Sequence, residues 1–169
     1  MFNLRPLFAL LSILTVSSVG AQALKPYQPV TGERLLEQDS DSWLLYRGSY
    51  DSHGYSPLDQ IDRETVADLE PVWSFSTGLR EGHQAPPIVN AGYMYVATPQ
   101  NHVLALNAAT GELLWRYVRY LPDDLQQFHP TNRGVALWGE RAYLATVDSY
   151  LVALDAVTGE VDWEVAVED

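Results

Sequence analysis

The 169-residue chain contains no cysteine and few basic residues: Lys and Arg total 10, against 22 Asp and Glu. The missing thiols exclude disulfides, thiolate metal sites, a cysteine nucleophile and the lipid-bearing cysteine of a bacterial lipoprotein. The formal net charge of −12 argues against nucleic acid or an anionic membrane surface as partner, because both are themselves anionic. A chain without disulfides must obtain its stability from packing or closure of the fold.

The chain also lacks an apolar run long enough for a comfortable membrane span, which needs about 20 residues. Its mainly apolar stretch, residues 7–19, follows Arg5 and precedes Ala21-Gln22-Ala23, which has small residues at the two positions that a signal peptidase reads. Residues 1–23 are therefore predicted to be a cleaved secretory signal peptide. The alternative is an uncleaved membrane anchor.

One motif is present twice. ALNAATGELLW begins at Ala105, and ALDAVTGEVDW begins 48 residues later at Ala153. When residues 95–115 are aligned with residues 143–163, ten of the 21 positions are identical. Self-similarity at a period in the forties is typical of β-propellers, in which each repeat forms one blade.

Each copy contains four short runs rich in Val, Leu, Tyr and Ala, separated by turn residues, which is the pattern of a four-stranded meander. The runs are 87–90, 93–98, 103–107 and 113–118 in the first copy, and 133–138, 142–147, 151–155 and 161–167 in the second. The glycine of each Thr-Gly pair is expected to have a positive φ, and Asn107 or Asp155 to bond backbone amides across the turn. Trp115 and Trp163 are expected to fill the gap between neighbouring blades.

The predicted fold class is all-β: two four-stranded blades of a β-propeller that is incomplete in this chain. Since propellers close with typically four to eight blades, the chain is predicted to be a fragment of a longer protein, with a ring of several copies as the alternative. A two-sheet sandwich is the competing architecture, but a sandwich has no reason to repeat its sequence.

The predicted organisation has three parts. Residues 1–23 are the signal peptide, residues 24–71 form an N-terminal segment, and residues 72–169 belong to the propeller. Within the propeller, the outer strand of a preceding blade is expected near 72–77, because Trp73 lies 42 residues before Trp115. The two complete blades are expected at 86–118 and 132–167.

Three features in this order resemble the periplasmic methanol and ethanol dehydrogenases that depend on pyrroloquinoline quinone (PQQ). The features are the tryptophan-bearing repeat, WLLYRGSYDSHGYSPLDQI at residues 43–61, and NRGVA at residues 132–136. The resemblance implies an eight-bladed propeller that binds PQQ together with Ca²⁺ or a lanthanide, oxidises a small alcohol and passes electrons to a cytochrome c. It also implies that the metal ligands and the catalytic base lie beyond residue 169, so that no catalytic or metal-binding residue is expected in this chain.

The same resemblance implies three cofactor-binding candidates. Arg133 matches the arginine that hydrogen-bonds the quinone oxygens, and the alternative is an ordinary arginine at a strand end. Gln84 stands where family members often carry a glutamate that faces the cofactor, so PQQ binding could be altered in strength or lost. Phe128 is in the place of one of two adjacent cysteines that stack on PQQ, and it either replaces that stacking surface or packs on the blade as a loop aromatic.

A second function from a different class is a noncatalytic propeller with the same repeat, which acts as a protein-binding scaffold. Gln84 and the absent cysteine pair are compatible with it, whereas the segment 43–61 and NRGVA favour the enzyme. The four histidines show no metal-ligand spacing, and Asp123-Asp124 is expected to be a solvated turn rather than a catalytic pair.

Overall fold

The computed structural model describes residues 24–37 and 39–167. The predicted signal peptide, residues 1–23, lies outside the described residues and stays a prediction. The described part contains one short α-helix, α1 (Gly32–Leu36), two single-turn 3-10 helices (Val66–Asp68 and Pro99–Asn101) and eight strands. The strands are β1 (Ile88–Asn90), β2 (Tyr93–Ala97), β3 (Val103–Asn107), β4 (Leu113–Tyr117), β5 (Ala136–Trp138), β6 (Arg141–Ala145), β7 (Tyr150–Asp155) and β8 (Val161–Ala166). None of the helices in these two ranges is both long and apolar enough to cross a membrane.

The strands form two antiparallel four-stranded sheets, ordered β1-β2-β3-β4 and β5-β6-β7-β8. The register shifts between Ala105 and Leu106 in the first sheet and between Ala153 and Leu154 in the second, which are the same positions of the repeat. The prediction of two meander blades is confirmed. The strand β5 begins at residue 136 rather than 133, because the preceding residues form a loop in which Gly134 has a φ of 134°.

The turn between the third and fourth strand is built in the same way in both blades. Gly111 and Gly159 have φ values of 73° and 75°. The side chain of Asn107 accepts a hydrogen bond from the amide of Ala109 at 3.0 Å, and Asp155 accepts one from Val157 at 2.9 Å. Both expectations for the Thr-Gly turns are therefore confirmed.

The two blades are joined through the backbone carbonyl of Ala156. The indole Nε1 of Trp115 donates to this oxygen at 3.1 Å, and the hydroxyl of Tyr95 donates to it at 2.9 Å. Trp115 belongs to the first blade and is only 8% exposed, while Ala156 lies in the turn of the second blade. The expected filling of the gap between blades is confirmed for Trp115, which adds a directional hydrogen bond to apolar burial.

Trp73 contacts the first blade in the same way as Trp115 contacts the second. Its Nε1 donates to the carbonyl of Ala108 at 3.1 Å, and Ala108 is the repeat counterpart of Ala156. The outer strand expected near 72–77 has no counterpart among the assigned strands, because a strand needs a neighbour to bond and no described segment pairs with these residues. The assignment of 72–77 to a preceding blade stays a prediction, supported by the position of Trp73.

We expect Gly159→Ala to lower the free energy of unfolding by about 2–3 kcal/mol. A Cβ atom at this residue would lie 2.5 Å from Cδ2 of Trp115. The alanine would also have to adopt the φ of 75° that the glycine has. Gly54→Ala is the matched control, because Gly54 has a φ of 66° but nothing within 4 Å of a built Cβ. The control is expected to lose only about 1 kcal/mol. Urea denaturation measures both, and equal losses would contradict the proposed steric role of Trp115.

The N-terminal segment, residues 24–71, bridges the two blades. Val30 and Gly139 exchange two backbone hydrogen bonds of 2.8 Å, which attach it to the second blade. Trp43 and Val89 exchange bonds of 2.7 and 2.9 Å, which attach it to β1 of the first blade. The side chain of Leu44 is buried beside this second attachment. The segment therefore extends the first sheet beyond its edge strand β1 and brings Tyr46 close to both sheets.

Candidate functional site

A groove of about 630 Å³ lies where the two blades meet, at the end that carries the β2–β3 and β6–β7 turns. Both blades, the loop before β5 and the N-terminal segment contribute to its walls. Its lining includes Tyr46, Ile88, Asn101, Arg133, Tyr143 and Leu151. The groove has the size of an ordinary small-molecule site. It combines apolar walls with one side chain that is always charged, an arginine.

Arg133 is the charged residue of this groove. Its side chain is exposed, and no hydrogen bond or ion pair joins it to another residue of the described ranges. An arginine whose donors are uncommitted, in a largely apolar groove, is suited to bind an anion or a pair of adjacent oxygen atoms through its planar fork.

The loop that carries Arg133 is held by its neighbours. Asn132 donates to the side chain of Asn101 at 2.8 Å and to the carbonyl of Ala145 at 3.0 Å. The amide of Gly134 donates back to the Asn132 side chain at 3.0 Å. The position of Arg133 is thus set from both blades, although its own side chain is uncommitted.

Gln84 lies outside the lining of this groove, and its side chain is exposed. The preceding His83 bonds Thr77 Oγ1 and the carbonyl of Glu81, each at 2.9 Å, which folds the loop on itself. A Cβ at Gly82 would lie 3.8 Å from Cγ2 of Thr131, so this loop approaches the loop of Arg133. The structure brings the two loops together but does not place the Gln84 side chain in the groove, and its cofactor contact stays a prediction.

Phe128 also lies outside the groove. Its side chain is 101% exposed, which contradicts the alternative that it packs on the blade as a loop aromatic. Phe128 lies in the connection between β4 and β5, which forms no strand or helix. Stacking of Phe128 on a cofactor stays a prediction.

Sequence reasoning missed the aromatic residues that line the groove, Tyr46 and Tyr143. Tyr46 belongs to the WLLY motif, which served only as a mark of family resemblance, and the pairing of Trp43 with Val89 brings it here. Tyr143 is the repeat counterpart of Tyr95, so its position could have been inferred from the repeat. Within residues 24–37 and 39–167, no group of three His, Cys, Asp or Glu residues could hold a metal ion.

Sequence reasoning also missed an ionic cluster between the blades. Arg119, just after β4, donates to both carboxylate oxygens of Asp148, the shortest contact being 2.6 Å, and to Glu164 at 2.6 Å. Its guanidinium also lies 4.5 Å from the ring centroid of Tyr150. The side chains of Arg119 and Asp148 are 12% and 11% exposed. The residues are far apart in sequence, so no local sequence pattern indicates the cluster.

We expect Asp148→Asn to lower the free energy of unfolding by about 2 kcal/mol at neutral pH, because it leaves a largely buried guanidinium without its main partner. Burial raises the pKa of the Asp148 carboxyl, but hydrogen bonds from Arg119, Thr146 and the backbone, together with the charge of Arg119, outweigh it and hold the pKa below its ordinary value. The stabilisation is therefore present above about pH 4 and is lost as the pH falls through the lowered pKa. Urea denaturation between pH 7 and pH 3 should show a flatter acid dependence for the variant, and an unchanged profile would contradict this account.

The comparisons with known proteins agree with this architecture. The family model described as the beta-propeller domain of glucose, ethanol and alcohol dehydrogenases, PQQ, matches residues 43–165. The dehydrogenase subunit of the quinone alcohol dehydrogenase of Acetobacter aceti is 37% identical over 149 residues, which cover 80% of this chain and 20% of the relative. The quinoprotein alcohol dehydrogenase PedH of Pseudomonas putida is 36% identical over 144 residues, 82% of this chain and 24% of the relative.

A similar solved structure is a europium-containing methanol dehydrogenase. It superposes with a TM-score of 0.70 at 31% identity, over 81% of this chain and 25% of that chain. The chain therefore spans about a quarter or less of the length of the relatives it matches. Open sheets, such as the two seen here, are what part of a larger propeller would contain.

Proposed function

Since the chain belongs to the PQQ family of glucose, ethanol and alcohol dehydrogenase propeller domains, we propose that it is the N-terminal part of a PQQ-dependent alcohol dehydrogenase. The whole protein would oxidise a small alcohol and pass the electrons to a cytochrome c. The relatives that match over 80% or more of this chain are named as alcohol dehydrogenases, which supports the oxidoreductase class. The activity of these whole proteins is attributed to this chain only within the present proposal, because the chain spans 20% and 24% of their length.

The observation that carries the proposal is the uncommitted Arg133 in the groove between the blades. When bound, PQQ would supply the acceptor for the hydride of the alcohol, and it carries two adjacent quinone oxygens. The Arg133 guanidinium would donate to these oxygens, and its fork geometry suits two acceptors side by side. Tyr46 would supply an aromatic wall to a flat conjugated ligand. The residues present therefore fit the cofactor.

We propose that Ca²⁺ or a lanthanide accompanies PQQ, with its ligands supplied by residues beyond 169. A lanthanide is supported by the likeness to a europium-containing methanol dehydrogenase. This chain by itself is expected to be catalytically inactive, because the proposed metal ligands and catalytic base lie in later blades. Gln84 and Phe128 remain candidates for further cofactor contacts.

Further blades are proposed as the partners of the second sheet. The rings of Tyr143 and Trp163 lie 5.8 Å apart with an angle of 56°, close to the 5.9 Å and 48° of Tyr95 and Trp115. The second pair has no carbonyl acceptor among the described residues, and Trp163 is 39% exposed. A turn of the next blade would supply the carbonyl that Ala156 supplies to the first pair.

We also propose that residues 1–23 are a signal peptide and that the protein works in the periplasm. The apolar stretch 7–19 and the small residues before position 24 support export. Mass spectrometry of the protein from a periplasmic extract should find a mature N-terminus at residue 24, and an intact residue 1 would contradict cleavage.

The function is tested by titrating the full-length protein with PQQ in the presence of Ca²⁺ or a lanthanide. Saturable binding together with PQQ-dependent dye reduction by primary alcohols is the expected result. The 169-residue chain, tested in parallel, should reduce no dye. A full-length protein that shows no saturable PQQ binding would contradict the enzyme and favour a scaffold propeller.

A further inference from the structure

We infer that Asn132 is a positioning residue for Arg133, and that it sets the quinone affinity by fixing the arginine from both blades at once. This inference rests on the proposed function and adds to it a residue of the groove lining whose side-chain hydrogen bonds are made to the protein itself. The Asn132 amide makes three hydrogen bonds of 2.8–3.0 Å. All of them hold the backbone that presents Arg133, and none is made to the arginine side chain.

The donor side of Asn132 ties the loop to two different sheets. One Nδ2 bond goes to the side chain of Asn101, in the β2–β3 turn of the first blade. The other goes to the carbonyl of Ala145, at the end of β6 in the second blade. Asn101 is 4% exposed and has a φ of 58°, so its side chain is a fixed anchor. A change in the spacing of the blades would therefore move the loop.

The acceptor side of Asn132 fixes the bend directly after Arg133. The amide of Gly134 donates to Asn132 Oδ1 across the arginine, which closes a short turn around it. Gly134 has a φ of 134°, a conformation that few other residues adopt. Two residues before Asn132, the carbonyl of Pro130 accepts a hydrogen bond from the amide of Gln100 at 3.2 Å, which attaches the same loop to the first blade.

Pre-organisation is the reason that such a residue affects binding. No hydrogen bond or ion pair within the described residues holds the Arg133 side chain. The place from which this side chain extends is therefore set by its backbone. If the loop fluctuates, it must become ordered when the quinone binds to the Arg133 guanidinium. The entropy lost in that ordering reduces the binding affinity. The same logic makes supporting hydrogen bonds important in binding sites generally.

The test measures the PQQ dissociation constant of the full-length protein and of five variants: Asn132→Ala, Arg133→Ala, the double variant, Asn107→Ala and Asn101→Gly. Asn132→Ala is expected to raise the constant about 10-fold, a loss of about 1.4 kcal/mol in binding. The double variant should bind no more weakly than Arg133→Ala alone, because Asn132 acts only through the arginine. Such non-additivity distinguishes positioning from a separate structural effect.

Asn107→Ala is the matched control. Asn107 accepts from the amide two residues on at 3.0 Å, as Asn132 does, but it lies in the β3–β4 turn, outside the groove lining. It should lose stability without a change in the dissociation constant. Asn101→Gly is a second probe, which removes an acceptor of Asn132 while tolerating the positive φ; it should raise the constant about 3-fold, in line with the loss of one of three bonds.

Four outcomes would overturn the inference: a dissociation constant within 2-fold of wild type in Asn132→Ala, additive effects in the double variant, an equal effect of Asn107→Ala, or Asn101→Gly indistinguishable from wild type. If Arg133→Ala weakens binding while Asn132→Ala does not, only the positioning role fails. If the unaltered protein does not bind PQQ at all, the proposed function fails and this inference fails with it.

Discussion

Replacing Trp115 with alanine is expected to lower the free energy of unfolding by about 3–5 kcal/mol. The substitution removes a large side chain that is 8% exposed between the blades, together with its hydrogen bond to the Ala156 carbonyl. It also leaves a cavity beside Gly159. This glycine packs so closely on the indole that a Cβ atom at its position would lie 2.5 Å from the ring. Urea denaturation followed by circular dichroism measures the loss.

Trp163→Ala is the matched control, since Trp163 occupies the same position of the second repeat. It is 39% exposed, so in the 169-residue chain we expect a loss of about 1 kcal/mol. In the full-length protein, where a further blade is proposed to cover it, the two losses should become similar. A loss below about 1 kcal/mol for Trp115→Ala would contradict the account of how the blades adhere.

The second large effect is expected at Arg133. Arg133→Ala should raise the PQQ dissociation constant of the full-length protein about 100-fold, because two charge-assisted hydrogen bonds to the quinone oxygens are lost. Arg133→Lys should raise it about 10-fold, since an ammonium keeps the charge but lacks the fork. A fluorescence titration with PQQ distinguishes the three proteins, while urea denaturation should show little change because the side chain is exposed.

Arg116→Ala controls for the loss of one positive charge. Arg116 is exposed on β4 and lies outside the groove lining. We expect its removal to leave the dissociation constant within 2-fold of wild type. If Arg116→Ala and Arg133→Ala weaken binding equally, the effect is general electrostatics rather than recognition by the groove, and the assignment of Arg133 is wrong.

The elements that the sequence predicted well are those fixed by local chemistry and by the repeat. The third strand of the first blade, Val103–Asn107, is predicted with its observed bounds, because a continuous apolar run ends at an asparagine that bonds the backbone of the following turn. The positive φ of Gly111 and Gly159 followed from the Thr-Gly pair. The interblade role of Trp115 followed from its recurrence once per repeat.

The weaker predictions concern loops that have no repeat counterpart. Phe128 and Gln84 were selected because they occupy positions of a family motif, and the structure places both outside the groove. The direction of a loop side chain depends on contacts with distant residues, which a motif does not encode. Arg119 shows the converse, since its partners are 29 and 45 residues away in the chain and nothing near it in sequence indicates them.

The sequence by itself determined the family, the four-stranded blades and the turn chemistry. The repeat is visible as matching residues at a fixed spacing, and the hydrogen bonds of the turns join residues that are close in the chain. Only the tertiary structure decided that Tyr46 joins Arg133 in one groove and that Asn132 reaches both blades. These arrangements depend on how two sheets and the N-terminal segment pack against one another. Packing brings together residues that are far apart in the chain, such as Tyr46 and Tyr143, which are 97 positions apart, and no local pattern indicates such proximity.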